Sequence, residues 1–227
     1  LGDVYKRQLE YHKLCDGSLV NKIRMTELKI GLDYRPGQSY VNSKQNRIEV
    51  NLNAPRFVLN HTFGLKHFLG GEYDYHLTEA SIYKRFWLGS WGNIDTRIMA
   101  GAQWSKVPYP MLIMPPVNTS YFEHQGTFNM MEDMEFLNDR YAMFNLAWDM
   151  KGKIFNRIPL LKKLKWREYI AFKGIWGHLT DKNNPLLAKN ADDPDLYRFP
   201  SNTHVMNHEP YMELVVGVHN IFKLSLI

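Results

Sequence analysis

The sequence predicts an all-β fold, an antiparallel transmembrane β-barrel present in part, and three observations predict it. Apolar and polar residues alternate at period two over several long segments, which sorts their side chains onto opposite faces of a strand. Aromatics make up 14% of the 227 residues, with 13 Tyr, 12 Phe and 6 Trp, a content suited to side chains that sit between lipid and water. No stretch offers the roughly 18 to 20 uninterrupted apolar residues of a membrane helix, which excludes a helical membrane protein but not a barrel, whose strands are only half apolar.

In chain order, Thr26, Leu28, Ile30, Leu32 and Tyr34 form the apolar row of the first strand, opposite Glu27, Lys29, Gly31 and Asp33. Next, Ile48, Val50, Leu52 and Ala54 oppose Arg47, Glu49, Asn51 and Asn53. Less regular strands are expected near 58–67 and 75–88. From Ile94 to Trp104, six alternate positions (Ile94, Thr96, Ile98, Ala100, Ala102 and Trp104) oppose Asp95, Arg97, Met99, Gly101 and Gln103. A weaker segment spans 127–136. Ala142, Phe144, Leu146, Trp148 and Met150 then oppose Tyr141, Met143, Asn145, Ala147 and Asp149; a further strand is expected near 166–176. Finally Met212, Leu214, Val216 and Val218 oppose Tyr211, Glu213, Gly217 and His219, Val215 breaking the rule.

About nine strands result, several reaching the ~9 to 11 residues that a tilted membrane strand needs, against ~5 or 6 in soluble sheets. Pro36-Gly37, Gly70-Gly71, Trp91-Gly92-Asn93 and Leu137-Asn138-Asp139 supply turn chemistry between them. Residues 105–126 and 177–208 are long connections, uncommon in compact soluble domains and ordinary at one end of a barrel. Alternation alone also suits a soluble barrel with its apolar rows inside. Strand length, the end positions of Tyr34, Trp104 and Trp148, and polar rows mixing both charge signs favour lipid outside. Glu27, Lys29, Asp33, Arg47 and Glu49 are then lumen-facing, able to pair across strands.

Charge and cysteine content bound the rest. A net charge of +5 and a pI near 9.1 permit phosphate-bearing partners without demanding one. The single Cys15 rules out an intrachain disulfide or a thiolate zinc site. Residues 1–8 and 224–227 resemble translated adapter sequence and are set aside, leaving 9–223 as the partial barrel.

The segment Phe128 to Glu168, FNMMEDMEFLNDRYAMFNLAWDMKGKIFNRIPLLKKLKWRE, and the segment Pro210 to Lys223, PYMELVVGVHNIFK, resemble a family of outer-membrane proteins of diderm bacteria. Complete members carry a carboxypeptidase-regulatory-like β-sandwich, a middle region and a C-terminal barrel similar to the bacterial surface-antigen superfamily. The resemblance implies a location in the bacterial outer membrane, outer-membrane lipids as partners, the barrel-assembly machinery for insertion, and a structural or transport-related role with no substrate indicated. It also implies that the closing strand lies beyond this chain. The motif residues Asp139, Arg140 and Tyr141 are expected at a tight turn, with Arg140 pairing with a carboxylate such as Glu135. Relatives that insert or secrete polypeptides carry an Arg-Gly-aromatic motif in a late loop that folds into the lumen; residues 105–126 contain no arginine, which argues against that role.

Other chemistry finds little support. His61, His67 and His76 lack metal-ligand spacing, and Asp192, Asp193 and Asp195 lack that of a calcium loop. Glu132, Asp133 and Glu135 do not form a catalytic carboxylate pair, since adjacent strand residues point apart; Asp133 and Glu135, on one face, are expected to line the lumen. No nucleophile elbow or phosphate loop is present. The expectation is a protein that is not an enzyme and has no cofactor and no metal. The basic run Lys151, Lys153, Arg157, Lys162, Lys163, Lys165 and Arg167, around Ile158-Pro159-Leu160-Leu161, suits lipid headgroups, with Lys162, Lys163, Lys165 and Arg167 the candidates. It lacks the interleaved aromatics of a nucleic-acid platform, so no nucleic acid is expected. A soluble ligand-binding β-barrel and the barrel of a TonB-dependent uptake receptor are the alternatives.

Overall fold

Period-two alternation becomes a single antiparallel meander in the computed structural model, which describes residues 11–121, 123–206 and 209–221. The strands are β1 (Tyr11–His12), β2 (Leu19–Val20), β3 (Glu27–Tyr34), β4 (Tyr40–Asn42), β5 (Arg47–Glu49), β6 (Arg56–Gly64), β7 (Tyr75–Trp87), β8 (Asn93–Gln103), β9 (Arg140–Asp149), β10 (Arg167–His178) and β11 (Tyr211–His219). Seven of them form one sheet in the order β11-β10-β9-β8-β7-β6-β3; β1-β2 and β4-β5 are separate two-stranded pairs. Among the described residues one α-helix, α1 (Pro159–Leu164), lies between β9 and β10. The all-β antiparallel class expected from the sequence is what the chain adopts. Among the described residues the sheet is open, with β3 and β11 as its edges, so no closed barrel is present. The adapter-like ends, and Phe222-Lys223 of the last motif, lie outside the described residues.

Register makes the two faces of the sheet chemically distinct. On one face the directly paired residues Tyr34, Phe57, Ile82, Ile98 and Phe144 run from β3 to β9, and Thr96, Leu146, Phe172 and Leu214 run from β8 to β11. These rows are open: Leu32 is 65% exposed, Ile98 48%, Leu214 69% and Val216 73%. Charges on this apolar face are confined towards strand ends, at Lys84, Arg140 and Glu168. The opposite, polar face carries Glu27, Lys29, Asp33, Arg56, Glu79, Arg85, Asp95, Arg97, Lys173 and Glu213. This is the reverse of a soluble sheet, whose apolar side faces the core.

The connections also differ between the two ends. At one end the chain turns at 88–92 and 150–166, and through the small β4-β5 hairpin; at the other it turns at 65–74 and through the long segments 104–139 and 179–210. The long segments supply the cores. Tyr75, Val107, Tyr109, Leu112, Leu137, Leu179 and Tyr197 cluster with Tyr11, Val20 and Ile23 in a cap at the long-loop end. A second cluster sets Phe128, Met131 and Met206 of the loops on Met143 and Ile175 of the polar face.

Two expected strands are corrected. Residues 47–54 contribute only the three-residue β5, paired with β4 in the β3–β6 connection, because no neighbour extends their alternation. Residues 127–136 form no strand, only isolated bridges from Val117 to Phe128 and from Phe136 to His204; their apolar side chains anchor the loop instead. Asp133, exposed, and Glu135, half-buried, lie in this loop and not on a shared strand face.

Candidate functional site: the polar face and its covering loop

Charge on the polar face is neutralised partly across strands and partly by the loop. Arg85 on β7 meets Asp95 on β8 at 2.6 Å, and the Tyr83 hydroxyl donates to the same carboxylate. Arg56 on β6 meets Asp33 on β3 at 2.8 Å, joined by Arg35, and Lys29 faces Glu79 at 3.7 Å. Such part-exposed pairs fix register more than they stabilise, at about 0 to 1 kcal/mol each.

On β10 and β11 the partners come from the 104–139 loop. Lys173, 1% exposed, donates from Nζ to Glu123 Oε1 at 2.5 Å and to the Thr127 carbonyl at 2.9 Å. Glu213, also buried, accepts the backbone N–H groups of Asn129 and Met130 at 2.9 and 2.8 Å. A buried cation and a buried anion thus grip consecutive stretches of one loop, each satisfied as burial requires. The loop has no arginine, yet it lies on the polar face all the same: the strand supplies the cation and the loop the carboxylate. Over β3, β6 and β7 this face stays more open, with Lys29 and Asp33 exposed.

This is the arrangement adopted by a sequence that the family described as "Family of unknown function (DUF5686) C-terminal domain" matches over residues 12–183, well over half of the chain. The chain belongs to that DUF5686 family. No curated protein and no solved structure matches it.

Within this DUF5686 domain the predicted residues fall into separate places. Glu27, Lys29 and Asp33 lie on the polar face of β3. Arg47 and Glu49 do not belong to that face: on the β4-β5 hairpin, Arg47 stacks on the Tyr40 ring at 3.7 Å and Glu49 binds Arg35. Tyr34 and Trp148 stand at the short-turn end of the apolar face, Tyr34 stacked on Phe57 at 6.3 Å and Trp148 donating its indole N–H to the Trp91 carbonyl at 2.8 Å. Trp104 follows β8 at the other end, its indole N–H on Thr78 Oγ1 at 2.9 Å.

Asp139 is not at a tight turn. Fully buried, it accepts the Thr180 N–H at 3.1 Å, the Thr180 hydroxyl, and Asn183 Nδ2 at 2.9 Å, while Asn183 Oδ1 accepts the Val107 N–H. One carboxylate thereby ties both long loops to the start of β9. Arg140 is exposed and sits 5.7 Å from the Trp104 ring; among the described residues it makes no ion pair with Glu135, whose carboxylate instead accepts the Glu132 N–H. Tyr141 lies over Gly101, directly opposite on β8, where a Cβ would come within 2.4 Å of the ring.

Lys162 and Lys163 are on α1, Lys165 caps it in the left-handed conformation (φ 58°), and Arg167 opens β10. His61 and His76 face each other on the apolar side at 5.8 Å, with Phe63 against both rings and the Thr78 hydroxyl on His61; His67 lies apart in the 65–74 turn. Asp193 and Asp195 pair with Lys106, so a side-chain ammonium serves the acidic loop. Lys173 and Glu213 escaped the sequence reading as a pair of grips, since their partners lie 50 and more than 80 residues away.

Proposed function

We propose that this domain is part of a transmembrane β-barrel of the surface-antigen type in the bacterial outer membrane, with a structural or transport-related, non-enzymatic role. The observation that carries the reading is the inverted sheet: open apolar rows on one face, charges and covering loops on the other. Leaving Leu32, Leu59, Ile98, Leu214 and Val216 in water forgoes about 2 kcal/mol per side chain, ~10 kcal/mol in all, as large as a typical domain's net stability. Hydrocarbon removes that cost, and only charge-free strand centres are admissible there.

Dimensions support the same reading. From Ile94 to Trp104 the chain advances about 33 Å at ~3.3 Å per residue, which a tilt of ~45° reduces to ~23 Å, against an apolar band of ~25 Å. Trp148 and Trp104 mark the two ends as aromatic girdles do. The polar face then borders an aqueous lumen occupied in part by the 104–139 loop. A carboxypeptidase-regulatory-like partner domain and insertion by the barrel-assembly machinery belong to this proposal through the sequence resemblance.

The test is folding of the complete gene product with and without detergent. Sheet circular dichroism and a heat-modifiable gel band that require detergent are expected. A water-soluble folded monomer selects the soluble ligand-binding barrel instead, and a plug domain ahead of the barrel selects the uptake receptor.

A further inference from the structure

The β9–β10 connection is unusual in its charge. Between Asp149 and Glu168 it holds Lys151, Lys153, Arg157, Lys162, Lys163, Lys165 and Arg167 and no carboxylate. Among the described residues only Lys151 has an ion-pair partner, Asp149 at 3.2 Å.

The same segment leaves Ile154, Ile158, Leu160 and Leu164 exposed, Leu160 at 71%. It is also fixed in place. Lys153 donates to Ser90 Oγ at 2.8 Å and stands 5.3 Å from the centroid of the Trp91 ring. Trp91, exposed itself, is bonded through its carbonyl to Trp148 on the apolar face. The Phe155 N–H is bound by Glu168, and Asn220 Nδ2 donates to the Lys165 carbonyl at 2.7 Å. Unpaired cations, bare aliphatics and two indoles therefore meet where the apolar rows end. Water alone satisfies the cations but not the aliphatics, and a protein core satisfies the aliphatics but not the cations. A lipid surface satisfies both, with acyl chains beneath and phosphates at the level of the amines.

We propose that Lys153, Lys162, Lys163 and Lys165, with Trp91, form an interfacial seat for the phosphate headgroups of anionic lipid, so that the short-turn end of the sheet lies in a phosphate-bearing membrane surface. This rests on the membrane-spanning reading above and adds to it a lipid class and a location.

The test uses the complete protein reconstituted in phosphatidylcholine vesicles containing either brominated phosphatidylglycerol or brominated phosphatidylcholine, with tryptophan quenching as the readout and protease protection as the control for insertion. The expected result is an apparent association at least about fivefold stronger for phosphatidylglycerol. That preference falls to near unity in the Lys153→Glu, Lys162→Glu, Lys163→Glu, Lys165→Glu variant and weakens in Lys153→Gln, which keeps a donor for Ser90. Normal insertion without lipid preference, or a preference that survives in an inserted fourfold variant, overturns the seat and leaves the barrel standing. Competition by inorganic phosphate beyond that of chloride at equal ionic strength also overturns it, in favour of a free-phosphate site. Failure to insert in either vesicle overturns both readings.

Discussion

Lys173 of β10 and Glu123 of the 104–139 loop meet at 2.5 Å on the polar face, the lysine side chain 2% exposed. Removing one partner strands the other charge, so Glu123→Gln, which leaves the ammonium buried, is expected to cost about 3 kcal/mol. The Lys173→Met, Glu123→Gln double variant recovers most of that loss, because nothing charged remains to be desolvated. Thermal unfolding of the folded gel band gives the order, and protease cutting within 118–127 reports release of the loop.

Gly101 and Tyr141 give a second prediction. They are direct cross-strand partners, and the ring occupies the space a Cβ at Gly101 needs. Gly101→Val should therefore destabilise by about 1 to 3 kcal/mol through overpacking. Tyr141→Ala in the same chain should restore part of it, measured by urea unfolding of the detergent-folded protein. Gly174 opposite Phe144 repeats the relationship on the other face.

Asp139 should matter out of proportion to its size. Asp139→Ala leaves Thr180 and Asn183 without their shared acceptor, at about 1 to 3 kcal/mol for each orphaned buried group. Because Asn183 in turn holds Val107, hydrogen exchange is expected to accelerate at the Thr180 and Val107 amides together while the mid-strand amides of β9 stay protected.

How much of this was legible in the sequence depends on what enforced each pattern. β8, β9 and β11 were readable because apolar residues recur at nearly every second position along each strand, and those rows are largely the ones left open. Ile48, Val50 and Leu52 alternate equally well, but the one strand alongside, β4, pairs only with Arg47 to Glu49, so the segment forms no more than a short hairpin. The 127–136 segment misled because Phe128, Met131 and Phe136 pack inward as loop anchors, which period-two counting cannot separate from a strand. Asp139 was singled out by its motif, yet its role depends on Thr180 and Asn183, 41 and 44 positions away, a relationship that no local spacing encodes.

The cap has an alkaline limit. Tyr73 donates to or accepts from the Tyr197 hydroxyl at 2.7 Å, and burial, reinforced by that hydrogen bond, pushes the Tyr73 hydroxyl well above its ordinary value of 10. A group with a raised folded-state pKa contributes stability that is complete below its unfolded value and is lost as pH rises towards the folded one. Cap stability is therefore expected to be flat below pH 10 and to fall above it. Tyr73→Phe should flatten the fall, read by melting temperature alongside tyrosinate absorbance.

The apolar rows themselves are tested most directly by spin labels placed one at a time in a Cys15→Ser background of the complete protein in lipid vesicles. Labels at Ile98, Leu146 and Leu214 are predicted to be accessible to oxygen dissolved in hydrocarbon and shielded from a water-soluble nickel chelate. Labels at Arg97, Asn145 and Glu213 should lack that oxygen signature. Equal access of the chelate to both sets, or oxygen access confined to the second, contradicts the assignment of the apolar face to lipid.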